Sequence, residues 1–373
     1  VELDWVNFAT LLESGEVSVE TWEQAKADVA SCTASKTKAE LLAVAMKRRI
    51  LMAPIADLRE VVNSAHLRAR GYFDDLHIGD QKISAPGAFA QVSPTPLTPL
   101  QQVFKLGADT EEILANKHSS VSRIPATKIR KKPLDGVKVV DFTWSLAGPY
   151  ATRVLADLGA TVVKIESHKK PDAARGFLPI WDNIPGSEQS AMFDSANAGK
   201  LSLSLDLSKP EAVSVVHDLV GWADVVSESF SPKVMTGWGL GYEQLAKINS
   251  RMIMVSTCLN GQYGPLASFA GYGNLGAAIS GFYGLAGWPD RPPAGPFGAY
   301  TDYTSTHFLV ATILAALDQQ RRTEVGAYID LAQAEAAQHF ISPALLDISA
   351  NDYLVTRSGN NDGVMVPHGG FQC

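Results

Sequence analysis

The chain has 373 residues, enough for two or three domains and at least one large buried core. Hydrophobic residues make up 46% and charged residues 19%, the balance of a soluble globular protein. The net charge of −7 argues against nucleic acid or an anionic membrane as main partner, because both demand basic surface. Residues 1–70 read as helical, with a capping-box pattern at Thr37-Lys38-Ala39-Glu40 ahead of Leu41, Leu42, Val44 and Ala45. Short extended stretches follow around Tyr72–Leu76 and Lys82–Ser84, then a proline-rich piece with Pro94, Pro96 and Pro99, and a short helix near Asp109. The polar and basic segment 116–133 reads as a linker.

Beyond the linker the pattern changes. Val137–Asp141 reads as a buried strand, Ala147–Leu158 as a helix closed by Gly159, and Thr161–Ile165 as a second strand, a strand–helix–strand unit of the parallel kind. The alternation continues with helices at Glu211–Trp222 and Tyr242–Ile248 and strands at Asp224–Val226 and Met252–Ser256. Longer helices are predicted at Gly273–Tyr283, Tyr303–Gln320 and Leu331–Phe340. Residues 134–345 therefore read as an open, doubly wound, Rossmann-like α/β domain with a parallel sheet, accompanied by part of a smaller α+β domain. No G-x-G-x-x-G follows the first strand, so NAD and flavin dinucleotides find no support.

The cysteines, Cys32, Cys258 and Cys373, are far apart and form no CxxC pair, which points to a reducing, cytoplasmic setting without a disulfide or zinc framework. The eight histidines are scattered, with no metal-ligand spacing. No apolar run reaches the roughly 18 residues of a membrane-spanning helix. Ser145 lacks the G-x-S-x-G setting of a hydrolase nucleophile. The start at Val1 and the abrupt stop at Gly370-Phe371-Gln372-Cys373 read as a fragment cut at both ends.

The run Leu134–Thr143, followed by Ala147-Gly148-Pro149, Ala156–Ala160 and Val163–Glu166, resembles the opening of the class III (CaiB/BaiF-type) CoA-transferases, which include formyl-CoA transferase and the carnitine CoA-transferases. Leu205-Asp206-Leu207, Ala223–Val226, Glu228-Ser229-Phe230, Gly239–Tyr242, Gly271-Tyr272 and Ile313–Leu317 continue the likeness in the family's order. Residues 1–115 resemble the family's C-terminal third, through Leu67–Gly71, Leu106-Gly107 and Asp109–Leu114. The end of one module thus precedes the start of another. This implies the junction of a tandem fusion (or a circular permutation), in which 134–345 is the CoA-binding domain and 346–373 begins the next small domain.

The resemblance implies CoA transfer from an acyl-CoA to a carboxylic acid acceptor, without metal or NAD. It places the nucleophile at Asp302, in Gly298-Ala299-Tyr300-Thr301-Asp302, just before a long helix. Apart from the resemblance, a helix N-cap is the ordinary reading of such an aspartate. It further implies Leu205, Ser229 and Phe230 at the adenine, Leu146 and Ala147 at the pantetheine or thioester end, Ser167, Lys169 and Lys170 near the phosphates, and Tyr272 facing the acyl group. Core packing is the competing reading for Leu205, Phe230 and Tyr272, and a solvated loop for the two lysines. Formyl-CoA transferase has Gln at Leu146, Arg at Ser167, Asn at Ser229 and Lys at Ala270, so several hydrogen-bond donors are missing, and the family's glycine-rich loop is not found. His307, one helical turn after Asp302, reads as a partly buried helix residue. The family's α-methylacyl-CoA racemases carry His where this chain has Tyr272, a poor base. A non-catalytic scaffold module is the other alternative. The family also implies an interlocked homodimer, or an intramolecular pseudo-dimer in a fusion.

Overall fold

A computed structural model describes residues 4, 8–98, 105–115, 132–181, 188 and 190–373. The chain forms two compact units, Val1–Pro54 and Ile55–Cys373. In the first, the Val19–Ala34 helix starts at Ser18, whose hydroxyl accepts the Thr21 N–H, and none of its side chains is buried. The Lys38–Arg48 helix opens on the expected capping box, in which Thr37 and Glu40 each accept the other's backbone N–H. It ends at left-handed Arg49, with Lys47 and Arg48 in the last turn, where the helix dipole favours cations.

Among the described residues the second unit holds nine strands: β1 Phe73–Ile78, β2 Gln81–Pro86, β3 Gln91–Ser93, β4 Lys138–Phe142, β5 Thr161–Glu166, β6 Leu201–Ser204, β7 Val225–Glu228, β8 Ile253–Cys258 and β9 Ala327–Ala332. β1 and β2 pair as an antiparallel hairpin. The others form one sheet in the order β3-β9-β8-β7-β4-β5-β6, parallel throughout except that β3 runs antiparallel to β9. Counting the parallel strands in chain order gives 3-2-1-4-5-6, the Rossmann arrangement, whose order reverses between β4 and β7.

Both faces of this sheet are covered because neighbouring residues on a strand point to opposite sides. Val139, Val225 and Ile253 pack with Leu155 of the Ala147–Asp157 helix and with Leu309 and Ile313 of the Tyr300–Thr323 helix. Val140, Val226 and Met254 pack with Val216 and Val220 of the Pro210–Trp222 helix. Each fully buried aliphatic side chain contributes roughly 1.5–3 kcal/mol, so these two layers hold the sheet in place.

Residues 55–98, which resemble the end of a preceding module, lie in the same compact unit as the α/β domain. Ala56, Leu58, Val61, Leu67 and Tyr72 pack with Leu345 and Ile348 of the Ser342–Asn351 helix, and β3 adds an edge strand beside β9. The guanidinium of Arg70 is completely buried. It donates to Asp330 on β9 at 2.9 Å and to both carboxylate oxygens of Glu335, beneath the ring of Tyr263 at 4.4 Å. The Tyr72 hydroxyl donates to the Glu335 carbonyl at 3.0 Å.

Several element boundaries differ from the sequence reading. Residues 331 and 332, expected in a helix, complete β9, and the helix that follows spans Gln333–Gln338. Pairing of Leu331 and Ala332 with Thr257 and Cys258 of β8 outweighs the helical preference of an alanine-rich stretch. The expected 273–283 helix is broken at Gly281, which has φ +92°, into Gly273–Ile279 and Phe282–Leu285. The helix expected at 242–248 stops at Leu245. Apart from residues 132 and 133, the expected linker lies outside the described residues. Residues 353–373 carry no helix or strand.

Candidate active site

The carboxyl ends of β4, β7, β8 and β9 open on a cleft of about 240 Å3, at the place where the strand order reverses. Open α/β sheets bind ligands at this position, because the loops leaving neighbouring strands diverge there. The loop after β4 is held rigidly. Trp144 N–H donates to Ser229 Oγ at 2.8 Å and Ser145 N–H to Asp172 at 2.9 Å. Lys164 Nζ grips the Thr143 carbonyl at 2.7 Å and Asp172 at 3.0 Å. Ser145 sits at φ +64°, a left-handed conformation unusual for serine. Below the loop, burial works against the Asp141 carboxylate. Lys200, at 2.9 Å, and Lys164 outweigh that burial and hold Asp141 below the usual carboxylate range.

Asp302 lies in the first turn of the Tyr300–Thr323 helix and is 5% exposed, with its carboxylate lining the cleft. The N-cap is Ala299, without a side-chain bond, so the N-cap reading of Asp302 does not hold. Its Oδ2 instead accepts the backbone N–H of Gly273 at 2.9 Å, at the start of the Gly273–Ile279 helix. Only glycine permits this approach: a Cβ at 273 would lie 2.6 Å from the backbone carbonyl of Ala299. Burial pushes Asp302 up to about 6, against the hydrogen bonds from Gly273 and the Gln333 side chain. Among the described residues lining the cleft there is no Lys, Arg or His to neutralise it.

Cys258 also lines the cleft, but burial and the nearby carboxylates of Asp330 and Glu228 push its thiol far above the ordinary range, so it remains an un-ionised thiol. Glu228, at the end of β7, is pushed up to about 7 by burial. Among the described residues no group of three His, Cys, Asp or Glu is arranged to hold a metal, and no helix is long and apolar enough to cross a membrane.

The sequence model of CoA-transferase family III matches residues 4–110 and 134–373. The chain belongs to this family. It is 37% identical over 244 residues to the acetyl-CoA:oxalate CoA-transferase of Acetobacter aceti, covering 65% of this chain and 61% of that protein. It is 36% identical over 248 residues to the mouse succinyl-CoA:glutarate CoA-transferase, covering 65% of this chain and 54% of that protein. A crystal structure of a CaiB/BaiF family protein from Brucella suis superposes with a TM-score of 0.60 at 34% identity, covering 64% of this chain and 63% of that one. The chain thus spans less than two thirds of the length of each of these relatives.

Of the CoA-transferase positions named from the sequence, the cleft brings together Asp302, Ala147, Ser229, Phe230 and Tyr272. Phe230 meets Trp144 edge-on at 5.7 Å, and Tyr272, 38% exposed, meets Phe177 at 5.8 Å. Lys170 Nζ stands 5.8 Å from the centre of the Trp144 ring, at the cleft margin. The remaining positions are not among the cleft-lining residues. Leu146 is buried ahead of the Ala147–Asp157 helix. Leu205 packs on the core beside β6. Ser167 bridges to Lys170, and Lys169 pairs with Asp206 at 2.6 Å. His307 is exposed, not partly buried as expected. The sequence reading missed the backbone N–H of Gly273 and the side chains of Thr257 and Gln333. The sequence carried no usable signal for Gln333, because the stretch before it reads as helical and becomes a strand only by pairing with β8.

Proposed function

We propose that the complete protein transfers CoA from an acyl-CoA to a carboxylic acid, with Asp302 as nucleophile. The observation that carries this reading is a carboxylate buried at the floor of the switch-point cleft, held by a backbone N–H and opposed by no cation among the described lining residues. An Asp302 oxygen attacks the thioester carbonyl, the C–S bond breaks, and CoA thiolate leaves behind a mixed anhydride. The thiolate then attacks Asp302 Cγ, the anhydride C–O bond breaks, and the first carboxylic acid departs while the enzyme holds CoA as a thioester. The acceptor carboxylate runs these steps in reverse. Covalent exchange retains the energy of the thioester, which hydrolysis would waste. Desolvation favours it further, since a poorly hydrated carboxylate is the stronger nucleophile.

On this reading Ala147, Ser229, Phe230 and Tyr272 line the path of the CoA arm and acyl group, Ser167, Lys169 and Lys170 make contacts beyond the cleft, and Leu146 and Leu205 serve as packing. The match of the family model to 4–110 and then 134–373 supports a chain that spans the junction of two tandem modules, whose second site-forming partner is another module or another copy. The racemase reading is disfavoured, because among the described lining residues there is no His or Lys to serve as second base.

The test is trapping. The protein is incubated with acetyl-CoA or succinyl-CoA as donor, with oxalate, glutarate or other acids as acceptors, then quenched with hydroxylamine. The expected result is a hydroxamate on the peptide containing Asp302, and its loss together with CoA transfer in Asp302→Ala. Transfer at the normal rate in Asp302→Ala, with the 302 peptide unmodified, overturns the assignment and favours a scaffold role for this module.

A further inference from the structure

The loop from the end of β8 to the Gly273–Ile279 helix is bound at both ends, and residues 267 and 269–272 between them line the cleft. At the far end the Gly273 N–H donates to Asp302, and the Thr301 hydroxyl donates to the Gly273 carbonyl at 3.2 Å. The near end is moulded on His66, a side chain of the Ala65–Ala69 helix that is 4% exposed. His66 Nδ1 accepts the Leu266 N–H at 3.0 Å, which places the ring proton on Nε2, and Nε2 donates to the Asn260 carbonyl at 2.9 Å. Burial, helped by the nearby Arg70 guanidinium, pushes the ring down to about 4, so at neutral pH Nδ1 stays an acceptor. Glycines let the loop close on these side chains. A Cβ at Gly264, φ +99°, would lie 2.7 Å from Nδ1, and one at Gly261, φ +74°, would overlap the Arg70 guanidinium.

We propose that His66 is a positioning residue for the transfer: by holding Leu266 and Asn260 it sets the loop so that its far end meets Asp302 through Gly273. The proposal rests on Asp302 being the nucleophile. The turn that enters the cleft is built on Leu266, whose carbonyl accepts the Phe269 N–H at 2.9 Å and the Asn260 amide at 3.3 Å. A displaced Leu266 therefore carries the cleft wall with it and loosens the bond on the Asp302 carboxylate. Misplacing reacting groups by about 1 Å costs on the order of 100-fold in rate. His66 touches no reacting atom and acts through the loop alone. It belongs to the stretch that resembles the end of a preceding module, so a residue ahead of the linker completes a site that lies behind it.

Three variants of the complete protein separate the two bonds, with acetyl-CoA and succinyl-CoA as donors. His66→Asn sets an amide oxygen near the Nδ1 position and keeps an acceptor for Leu266. His66→Gln sets an amide nitrogen near Nε2, which keeps the bond to Asn260 and leaves the Leu266 N–H without its acceptor. His66→Leu removes both. The expected kcat is about 100-fold lower in His66→Leu and His66→Gln and largely restored in His66→Asn, with faster amide hydrogen exchange confined to loop peptides in the two slow variants. An unchanged kcat in His66→Leu overturns the proposal. So does a kcat that follows Tm across the series instead of the Leu266 acceptor, because that marks a side chain that only stabilises the fold. Where His66→Leu lacks a cooperative melt, the order of His66→Asn and His66→Gln decides. In wild type the Leu266 amide should exchange slowly, and fast exchange there overturns the clamp. Failure of the parent reading is separate: wild type itself would then yield no hydroxamate at Asp302.

Discussion

Two acidic sites lie buried in the same domain, one built around a cation and one without. Asp330 and Glu335 share the guanidinium of Arg70, and Asp330 also accepts the Gln262 N–H. Asp302, in the first turn of the Tyr300–Thr323 helix, accepts a backbone N–H but has no cation among the described residues of its cleft. The first arrangement pairs both acids with a cation and does structural work, although burial still pushes Glu335 up to about 7. The second keeps one carboxylate under-compensated, which costs stability and leaves it ready to react with an incoming carbonyl carbon. A buried charge is thus informative for function through what it lacks as much as through where it sits.

The contrast can be broken most easily at Arg70. Arg70→Leu would leave Asp330 and Glu335 buried without a counter-ion and should cost about 3–5 kcal/mol in a urea melt; a variant as stable as wild type would show the triad to be dispensable. Asp302→Asn should abolish transfer yet stabilise the fold at pH 8. Its folded-state value is raised from 3.8 to about 6, so the folded chain holds this proton more tightly than the unfolded one, and wild-type stability falls as pH rises through that window. Removing the group should recover up to about 3 kcal/mol well above pH 6 and almost nothing below pH 3. A Tm difference that does not depend on pH would remove the idea of a strained carboxylate.

Gly273→Ala places a methyl group against Ala299 and should lose about 1–3 kcal/mol, with kcat falling as the Asp302 turn is displaced. Intact kinetics would mean that the carboxylate needs no such positioning. The smallest effect is expected at Lys169, which is 71% exposed in its pair with Asp206. Lys169→Ala should change stability by less than about 1 kcal/mol while raising KM for acyl-CoA; an unchanged KM would leave this lysine as a surface ion pair with no phosphate contact.

The parallel core was legible because strands buried on both faces are written as apolar runs, as at Val137–Val140 and Ile253–Val255. β9 was not, since Ala327–Ala332 acquires its strand character from β8 and β3, which arrive from distant parts of the chain. Asp302 was found through family likeness. Local pattern alone marks a helix cap, and the structure moves the helix start to Tyr300, before the aspartate. Its partners Gly273 and Gln333 stand about 30 positions away on either side, joined to it only by the crossovers of the fold. Leu205 shows the converse: matching a family position did not bring it to the cleft, since its side chain packs on the core.

β3 has a consequence for how this chain can be cut. It covers the outer edge of β9, while Arg70, from the same stretch, neutralises two acids beneath. Residues 132–373 produced alone would present a bare row of backbone donors and acceptors, a template for further strands, above two stranded negative charges. Such a truncation should precipitate, and supplying 55–98 as a separate polypeptide should restore solubility by docking as the missing seam.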